Sequence, residues 1–329
     1  MGEKISSLGG SQYYFNTTCS YHSDALETLG WELTVCNALY PTDTPIRRIL
    51  VRDGSYGHLL HDYLRNFIPL ETIEKVIEIG GGYGFLMKDL VERSRRMRPC
   101  MLDISPTLIK KQQEMLQGYD ATFRLEDALE TDLGVFRQYD FAILNENLGD
   151  FPTLVNLDRN IFTRGELNDS VLKKVLRFFN MYNLERPSDE WFNFNIGAME
   201  IIENLCSAGV NYIFVGEHSC EATTPKKLLP YIRLKSTGNP KRITLMGHDE
   251  YTIKFSYIQR VATHLGYKTV RGPFADYIVP QLTGELMTIL GSRGLYSDKA
   301  EIICQFVEDL YEYEYLILMK ERSPEVCRS

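Results

Sequence analysis

The stretch KVIEIGGGYGFLMKDL, residues 75–90, contains the pattern from which the fold of this chain can be predicted. Apolar, strand-like positions end in three consecutive glycines, a tyrosine and a fourth glycine, and a helical pattern begins directly afterwards. In open α/β sheets, a glycine-rich turn between the first strand and the first helix lets the backbone come close to a nucleotide-like ligand. The stretch therefore predicts a ligand site at the carboxyl end of a parallel sheet.

The spacing of the glycines distinguishes between the motifs that use such a turn. The dinucleotide pattern GxGxxG requires a glycine three places after the second one, and with Gly80 and Gly82 that place holds Phe85. A phosphate-binding P-loop requires Gly-Lys-Ser/Thr, which does not follow. The stretch instead satisfies acidic-x-Gly-x-Gly-x-Gly with Glu78, Gly80, Gly82 and Gly84, and so resembles motif I of the class I S-adenosylmethionine (SAM) methyltransferases.

Carboxylates at the ends of successive predicted strands extend this resemblance. SAM carries an ammonium group that Glu78 can bind through charge-assisted hydrogen bonds, directly or through water. Asp103 ends the second strand and is placed to accept both ribose hydroxyls, although a carboxylate there also serves NAD. Asp127 follows the third strand, where the superfamily has an acceptor for the adenine amino group; the alternative is a helix N-cap. The other residues assigned to the cofactor are Tyr83, in the glycine loop, Asn145, at the end of the fourth strand, and Ile104 and Ala128.

Three further segments narrow the resemblance. LDISPTLIKKQQEML (102–116), LNENLGDFP (144–152) and MGHDEYTIKFSYIQRVATHLGYKT (246–269) are similar to segments of the MidA family of SAM-dependent methyltransferases. That family includes mitochondrial complex I assembly factors that act on a protein arginine. Gly149 stands where the family has an aspartate, and Asp150 follows one position later. The resemblance implies SAM as the cofactor and leaves the arginine substrate open.

From residue 74 onward, strand-like and helix-like segments alternate, which predicts an α/β, Rossmann-like sheet of mostly parallel strands with helices on both faces. RITLMG, residues 242–247, is included among the strands. The resemblance implies seven strands, with the last, YLILMKE, inserted antiparallel. Residues 1–70 are expected to form an N-terminal helical cap without strands. Residues 71–329 are expected to form the SAM-binding domain, with a helical insertion at about 153–195.

Glu146, at the end of the fourth strand, is the principal catalytic candidate. A guanidinium acceptor would be bound bidentately by Glu146 with Asp150 as a second carboxylate, whereas a neutral acceptor would use Glu146 as a base. The structural alternative is that Glu146 caps the following turn. His218, beside Glu217 at the end of NYIFVGEHS, is either a second base or a wall of the substrate pocket.

Three functions follow from these residues. The first is methyl transfer from SAM to a protein side chain. The second is methyl transfer to a small metabolite enclosed by the helical cap and the insertion. The third is a non-catalytic assembly factor that keeps the SAM-binding fold.

Composition excludes several other classes of partner. The net charge of -8, from 36 basic and 44 acidic residues, gives no basic footprint for nucleic acid. No apolar run reaches the roughly 18 residues of a membrane span, and the N-terminus lacks a signal-peptide pattern, so a cytoplasmic protein is expected.

Seven scattered cysteines without a CxxC pair predict free thiols. His58 and His61 are one helical turn apart, but no metal site is predicted; a homodimer is left open.

Overall fold

The computed structural model describes residues 4–6, 12–26, 34–163, 168–292, 295 and 297–321. Its strands are β1 (Lys4–Ser6), β2 (Gln12–Asn16), β3 (Lys75–Ile79), β4 (Arg98–Asp103), β5 (Thr122–Leu125), β6 (Phe141–Asn145), β7 (Thr153–Asp158), β8 (Trp191–Phe194), β9 (Tyr212–His218), β10 (Arg242–Thr244), β11 (Asp249–Tyr251), β12 (Tyr267–Pro273) and β13 (Tyr313–Lys320). Its α-helices are α1 (Val35–Leu39), α2 (Pro45–Arg48), α3 (Tyr56–Leu64), α4 (Phe85–Arg93), α5 (Pro106–Met115), α6 (Leu133–Phe136), α7 (Ser170–Met181), α8 (Ile196–Ala208), α9 (Phe255–His264), α10 (Gly284–Gly291) and α11 (Asp298–Glu312).

The central sheet has seven strands in the order β12-β13-β9-β6-β3-β4-β5. β13 is antiparallel to both of its neighbours, and all other pairs are parallel. The predicted α/β class, the seven strands and the antiparallel last strand are therefore confirmed. Because consecutive strands β3, β4 and β5 run outward on one side and β6 and β9 on the other, the sheet reverses its winding between β3 and β6, where ligands bind in such folds.

Helices cover both faces of this sheet, and the alternation of side chains along β3 shows how. Ile77 and Ile79 belong to the apolar core shared with α8 and α9, whereas Val76 belongs to the core shared with α3, α4 and α11. All of these side chains are buried, as expected for a parallel strand covered on both sides. Glu78 alternates with Ile77 and Ile79, so a carboxyl group occupies a buried position of the central strand.

A second sheet contradicts the prediction that no strand precedes residue 70. β1 and β2 form an antiparallel pair, and β2 also pairs with β7, with Tyr14 opposite Val155. β7 in turn pairs with β8. The segment QYYFN favours a strand through its three aromatic residues. Tyr13 is buried, and its hydroxyl donates a hydrogen bond to Asp169 Oδ2 at 2.8 Å. Among the described residues up to 70, the helical elements include a short π-helix at Tyr21–Ala25 and, further along the chain, α1, α2 and α3.

Two other expectations need correction. In its described residues, the insertion at about 153–195 is helical in the 3₁₀ helix Arg159–Phe162 and in α7, whereas its ends are the strands β7 and β8, which pair with each other. RITLMG does not join the central sheet: β10 pairs with β11 in a separate two-stranded hairpin, with Arg242 opposite Tyr251. The hairpin projects beyond the carboxyl ends of the central strands, where its residues reach the cavity described below.

Among the described residues, Cys19, Cys36, Cys100, Cys206 and Cys220 are free thiols, as predicted; Cys327 lies outside those residues. None of the helices in the described parts of the chain is both long and apolar enough to cross a membrane.

Candidate functional site

A cavity of about 340 Å³ lies at the carboxyl ends of β3, β4, β6 and β9. Twelve of the thirteen predicted site residues line it: Glu78, Gly80, Gly82, Tyr83, Asp103, Ile104, Asp127, Ala128, Asn145, Glu146, Asp150 and His218. The exception is Gly84. Lining residues within 17–22 and 34–37, called the N-terminal segment below, and residues of the β10–β11 hairpin complete the wall. The cavity is therefore bounded by parts of the chain that are distant in sequence.

The glycine loop between β3 and α4 takes a backbone path that favours glycine at three positions. Gly80, Gly82 and Gly84 have φ angles of 64°, 52° and 82°, in the left-handed region. Gly84 occupies the N-cap position of α4 and shapes the turn without touching the cavity. A Cβ atom on Gly81 would lie 2.4 Å from Met101 Cε and 2.9 Å from the Glu78 carboxyl carbon. The loop therefore lies directly against the Glu78 carboxyl group.

Glu78 is buried, with 2% of its surface exposed, and its Oε2 atom has no hydrogen-bond partner among the residues that the structure describes. Burial, followed by the neighbouring Asp103 carboxylate, raises the pKa of Glu78 to about 8. A buried carboxyl group without a partner is costly, because its lost hydration is not replaced. The cavity thus contains an acceptor that a cationic donor would satisfy.

Asn147 provides a second such acceptor, which the sequence analysis missed. Its Nδ2 atom donates to the Ile79 carbonyl at 2.5 Å, and its buried Oδ1 atom has no hydrogen-bond partner in the described parts of the chain. A Cβ atom on Gly80 would lie 2.5 Å from the Asn147 amide nitrogen. The only signal in the sequence was the position of this amide two residues beyond the end of β6.

Asp103 is held in place by two donors, one on each carboxylate oxygen. The Ser105 amide donates to Oδ1 and Gln112 Nε2 donates to Oδ2, both at 2.9 Å, and Gln112 Nε2 also reaches the Gly82 carbonyl at 3.0 Å. Burial raises the pKa of Asp103, while these two hydrogen bonds act in the opposite direction. Gln112, which the sequence analysis did not select, therefore connects the ends of β3 and β4.

Asp127 lies in a turn after β5 and caps no helix. Its Oδ1 atom accepts from the Leu129 amide at 2.9 Å, two residues ahead. Its neighbour Ala128 is buried in the cavity wall. The helix N-cap alternative for Asp127 is therefore wrong, and the proposed contact with adenine remains a prediction.

Glu146 connects the end of β6 to the N-terminal segment. Its Oε2 atom accepts from the Val35 amide and its Oε1 atom accepts from the Cys36 amide, each at 3.0 Å, so the carboxylate caps α1. The residue itself has a φ of 54°, which is unusual for a side chain other than glycine. Burial raises the pKa of Glu146 to about 7, opposed by the Cys36 hydrogen bond and reinforced by Glu217.

The amide of Asn145 is used within the protein. Its Nδ2 atom donates to Glu146 Oε1 at 3.2 Å, and its Oδ1 atom accepts from the Tyr56 hydroxyl, which lies 2.8 Å from the Tyr277 hydroxyl. Asn145 therefore adds a donor to the same carboxylate oxygen that accepts from the Cys36 amide. The role of Asn145 toward the cofactor stays a prediction.

His218 lies beside the cavity with its ring against Tyr313, at a centroid distance of 3.7 Å. Glu217 Oε1 accepts from the His218 amide at 2.8 Å, and Glu217 Oε2 accepts from the Gly149 amide at 3.1 Å. Burial lowers the pKa of His218, but the Glu217 carboxylate outweighs it and the net direction is upward. His218 and Glu146 are thus brought to the same cavity by β9 and β6.

Asp150 lies in the short 3₁₀ helix Leu148–Asp150, which follows β6. Its Oδ1 atom is 2.9 Å from His22 Nε2, and its carbonyl accepts from the Thr18 hydroxyl at 3.0 Å. No sequence pattern marks His22 as a site residue, because the approach of the N-terminal segment to this edge of the sheet depends on β2 pairing with β7.

Two solved structures from Burkholderia thailandensis resemble this chain. An uncharacterized superfamily protein aligns with a TM-score of 0.50 and 14% identity over 80% of this chain and 79% of that one. A member of the same superfamily bound to S-adenosyl-homocysteine aligns with a TM-score of 0.50 and 13% identity over 86% of this chain and 78% of that one. No family model and no curated protein sequence matches significantly. The likeness establishes that this chain has the Rossmann-like methyltransferase fold.

Proposed function

We propose that the chain binds SAM in this cavity and transfers its methyl group to a small acceptor molecule. The observation that carries the proposal is the Glu78 carboxyl group, which is buried at the end of β3 against the glycine loop with one oxygen lacking a partner. A phosphate ligand would be repelled there, whereas the ammonium group of SAM would supply the missing donor.

The remaining residues fit the other parts of the same cofactor. Asn147 Oδ1 is a second acceptor for the ammonium group, since it too is buried without a partner. Asp103 keeps acceptor capacity for ribose hydroxyls, because each of its carboxylate oxygens accepts one hydrogen bond from the described residues. Asp127 and Ala128 line the cavity where the resemblance assigns adenine.

Bound SAM would supply an electrophilic methyl group on a sulfonium, which an acceptor attacks by in-line displacement. The protein contributes position and proton management to such a reaction. Glu146 has a pKa of about 7, which is suited to removing a proton at neutral pH. His218 lies at the same cavity and is the alternative base.

The geometry at Glu146 favours a small acceptor over a protein arginine. A guanidinium bound bidentately would need a vacant acceptor site on both carboxylate oxygens, but Oε1 already accepts from the Cys36 amide and from Asn145 Nδ2, and Oε2 accepts from the Val35 amide. In addition, Thr34, Cys36 and Asn37 line the same cavity as Glu146. The arginine-methylating activity of the MidA family is therefore the less favoured alternative.

Calorimetric titration with SAM, S-adenosyl-homocysteine and NAD tests the cofactor. We expect the first two to bind, NAD to bind weakly or not at all, and Glu78→Gln to weaken SAM binding. Glu74→Gln is the matched control, because Glu74 is an exposed residue just before β3 that pairs with Arg96. Tight NAD binding without SAM binding would contradict the proposal.

Incubation with SAM and small-molecule extracts, followed by mass spectrometry of S-adenosyl-homocysteine and methylated products, tests the acceptor class.

A further inference from the structure

We propose that His22, Asp150 and His248, with Glu250 beside them, form a binding site for a divalent transition-metal ion at the rim of the cavity. One donor atom from each of the first three residues lies within 4.8 Å of the other two. Asp150 Oδ1 is 2.9 Å from His22 Nε2 and 3.8 Å from His248 Nε2, and His248 Nε2 is 3.2 Å from Glu250 Oε1. Nothing in the proposed methyl transfer requires this arrangement.

The separations between donors match those around a small metal ion. Imidazole nitrogens and carboxylate oxygens bind Zn²⁺ at about 2.0–2.2 Å, so neighbouring ligands in a tetrahedral site are about 3.3–3.6 Å apart. The three donor–donor distances given above are 2.9, 3.2 and 3.8 Å, and they bracket that value. An ion could therefore enter after small side-chain adjustments and without a change in the backbone.

The chemistry of the donors selects the class of ion. Two imidazoles with one or two carboxylates suit Zn²⁺ and other transition metals, whereas Mg²⁺ and Ca²⁺ prefer all-oxygen sites. Asp150 and Glu250 would also balance the charge of a divalent ion. Zn²⁺ is consequently the appropriate probe.

Each part of the site is supported by its own segment of structure. His22 is on the π-helix Tyr21–Ala25, Asp150 ends a 3₁₀ helix, and His248 is on the β10–β11 hairpin. The Tyr21 ring stacks on the His248 ring at 4.2 Å, and the rings of His22 and His248 are 5.4 Å apart. These aromatic contacts orient both imidazoles toward Asp150.

Such an ion would join three segments that are far apart in sequence. His22 is separated from Asp150 by 128 positions, and cross-links that close long loops restrict the unfolded chain. His22, Asp150 and Glu250 all line the cavity, as do Thr17 and Thr18. The ion would therefore fix the N-terminal segment across the cavity opening.

A second group of potential ligands provides a built-in control. His58 Nε2 is 3.9 Å from Asp89 Oδ1 and 3.8 Å from Glu92 Oε2, on α3 and α4. This group has one imidazole, and Asp89 Oδ2 already accepts from the Gly57 amide at 3.0 Å. It should bind Zn²⁺ more weakly than the group around Asp150.

Equilibrium dialysis of chelator-treated protein against Zn²⁺, with metal analysis, tests the proposal. We expect one tightly bound ion per chain and a rise in melting temperature on adding Zn²⁺. His22→Gln and His248→Gln should each weaken binding about 100-fold or more and abolish the rise, because an amide is a poor substitute for imidazole as a ligand. His58→Gln should bind Zn²⁺ like the parent protein.

The choice of glutamine keeps the experiment decisive. The side-chain amide of His22→Gln can still donate to Asp150, so circular dichroism should show the metal-free fold unchanged. The proposal is overturned if the parent protein binds no Zn²⁺, if both variants at residues 22 and 248 bind it as tightly as the parent, or if only His58→Gln loses it. Because SAM is absent from this measurement, failure here leaves the proposed methyl transfer unaffected.

Discussion

The backbone amide of Cys36 donates to Glu146 Oε1 at 3.0 Å, although the two residues are 110 positions apart. Together with the Val35 amide, this contact makes the carboxylate at the end of β6 the cap of α1. The residue proposed to accept a proton from the methyl acceptor is thus also the attachment point of the N-terminal segment. A change at Glu146 should affect both properties.

Glu146→Gln should lower turnover about 100-fold or more, the usual effect of removing a positioned acid-base group. It should also increase hydrogen exchange in residues 34–39, because the amide NH₂ replaces one of two acceptor oxygens. SAM affinity should change by only a few fold. Turnover assays, calorimetry and exchange mass spectrometry measure the three effects, with exposed Glu114 changed to glutamine as the control. If turnover is unchanged, Glu146 is a structural residue and His218 becomes the candidate base.

Asp103→Ala should reduce SAM binding by about 1.5–3 kcal/mol, through loss of the ribose hydrogen bonds to a charged acceptor. The comparison is Asp120→Ala, at an exposed carboxylate near Arg98 on the opposite end of β4. Calorimetry on the two variants measures the difference. Equal affinities would show that Asp103 does not contact the cofactor.

SAM affinity should rise with pH up to about 8. In the free protein the pKa of Glu78 is about 8, and only the carboxylate form pairs with an ammonium ion. Below pH 8 binding must release the proton, so the association constant should fall by up to about tenfold per pH unit. Glu78→Gln should bind weakly with little pH dependence. Titrations in buffers of different ionisation enthalpy would detect the proton, and a proton uptake would contradict the assignment.

The same group should make the free protein less stable as the pH rises. Folded Glu78 keeps its proton up to about pH 8, whereas the unfolded chain loses it near the ordinary value of 4.5. Between these values unfolding releases a proton, so the free energy of unfolding falls with rising pH, by up to about 1.4 kcal/mol per unit from this group. Urea denaturation at several pH values measures the slope. Glu78→Gln should show a smaller slope, and an identical slope would reject the pKa shift.

Gly81→Ala should abolish SAM binding, because its Cβ atom would displace Met101 and the Glu78 carboxyl group from contacts of 2.4 and 2.9 Å. Gly284→Ala is the matched control, since a Cβ atom there meets no atom within 4 Å. Gly284 is the first residue of α10, where alanine favours the helix. Binding and melting temperatures of both variants separate the local effect from general destabilisation. Normal SAM binding by Gly81→Ala would exclude close contact between this loop and the cofactor.

The sequence predicted the parts of the site that depend on local pattern. Ile77, Glu78 and Gly80 follow one another along a buried strand and its turn, so both the central strand and the ligand loop could be identified. The strand β2 could not, because its five residues gain stability from β7, and the paired residues Tyr14 and Val155 are far apart in the chain.

Long-range contacts also determined which site residues were missed. Asn147 and Gln112 have common side chains whose importance comes from the backbone they touch, at Ile79 and Gly82. No spacing rule predicts those partners. In the same way, the contact of Glu146 with Cys36 follows from the path of the N-terminal segment, which the helical-cap prediction described only in part.

The insertion of β13 between β9 and β12 has a consequence for biosynthesis. β12 pairs only with β13 in the central sheet, and one edge of β9 is covered only by β13. While a ribosome is still producing α10 and α11, the nascent chain therefore exposes an unpaired edge of an otherwise assembled sheet, which is prone to association with other chains. Ribosome-stalled chains without β13 should thus aggregate or recruit chaperones more than chains in which a C-terminal linker brings β13 out of the ribosome, and pelleting assays can compare them.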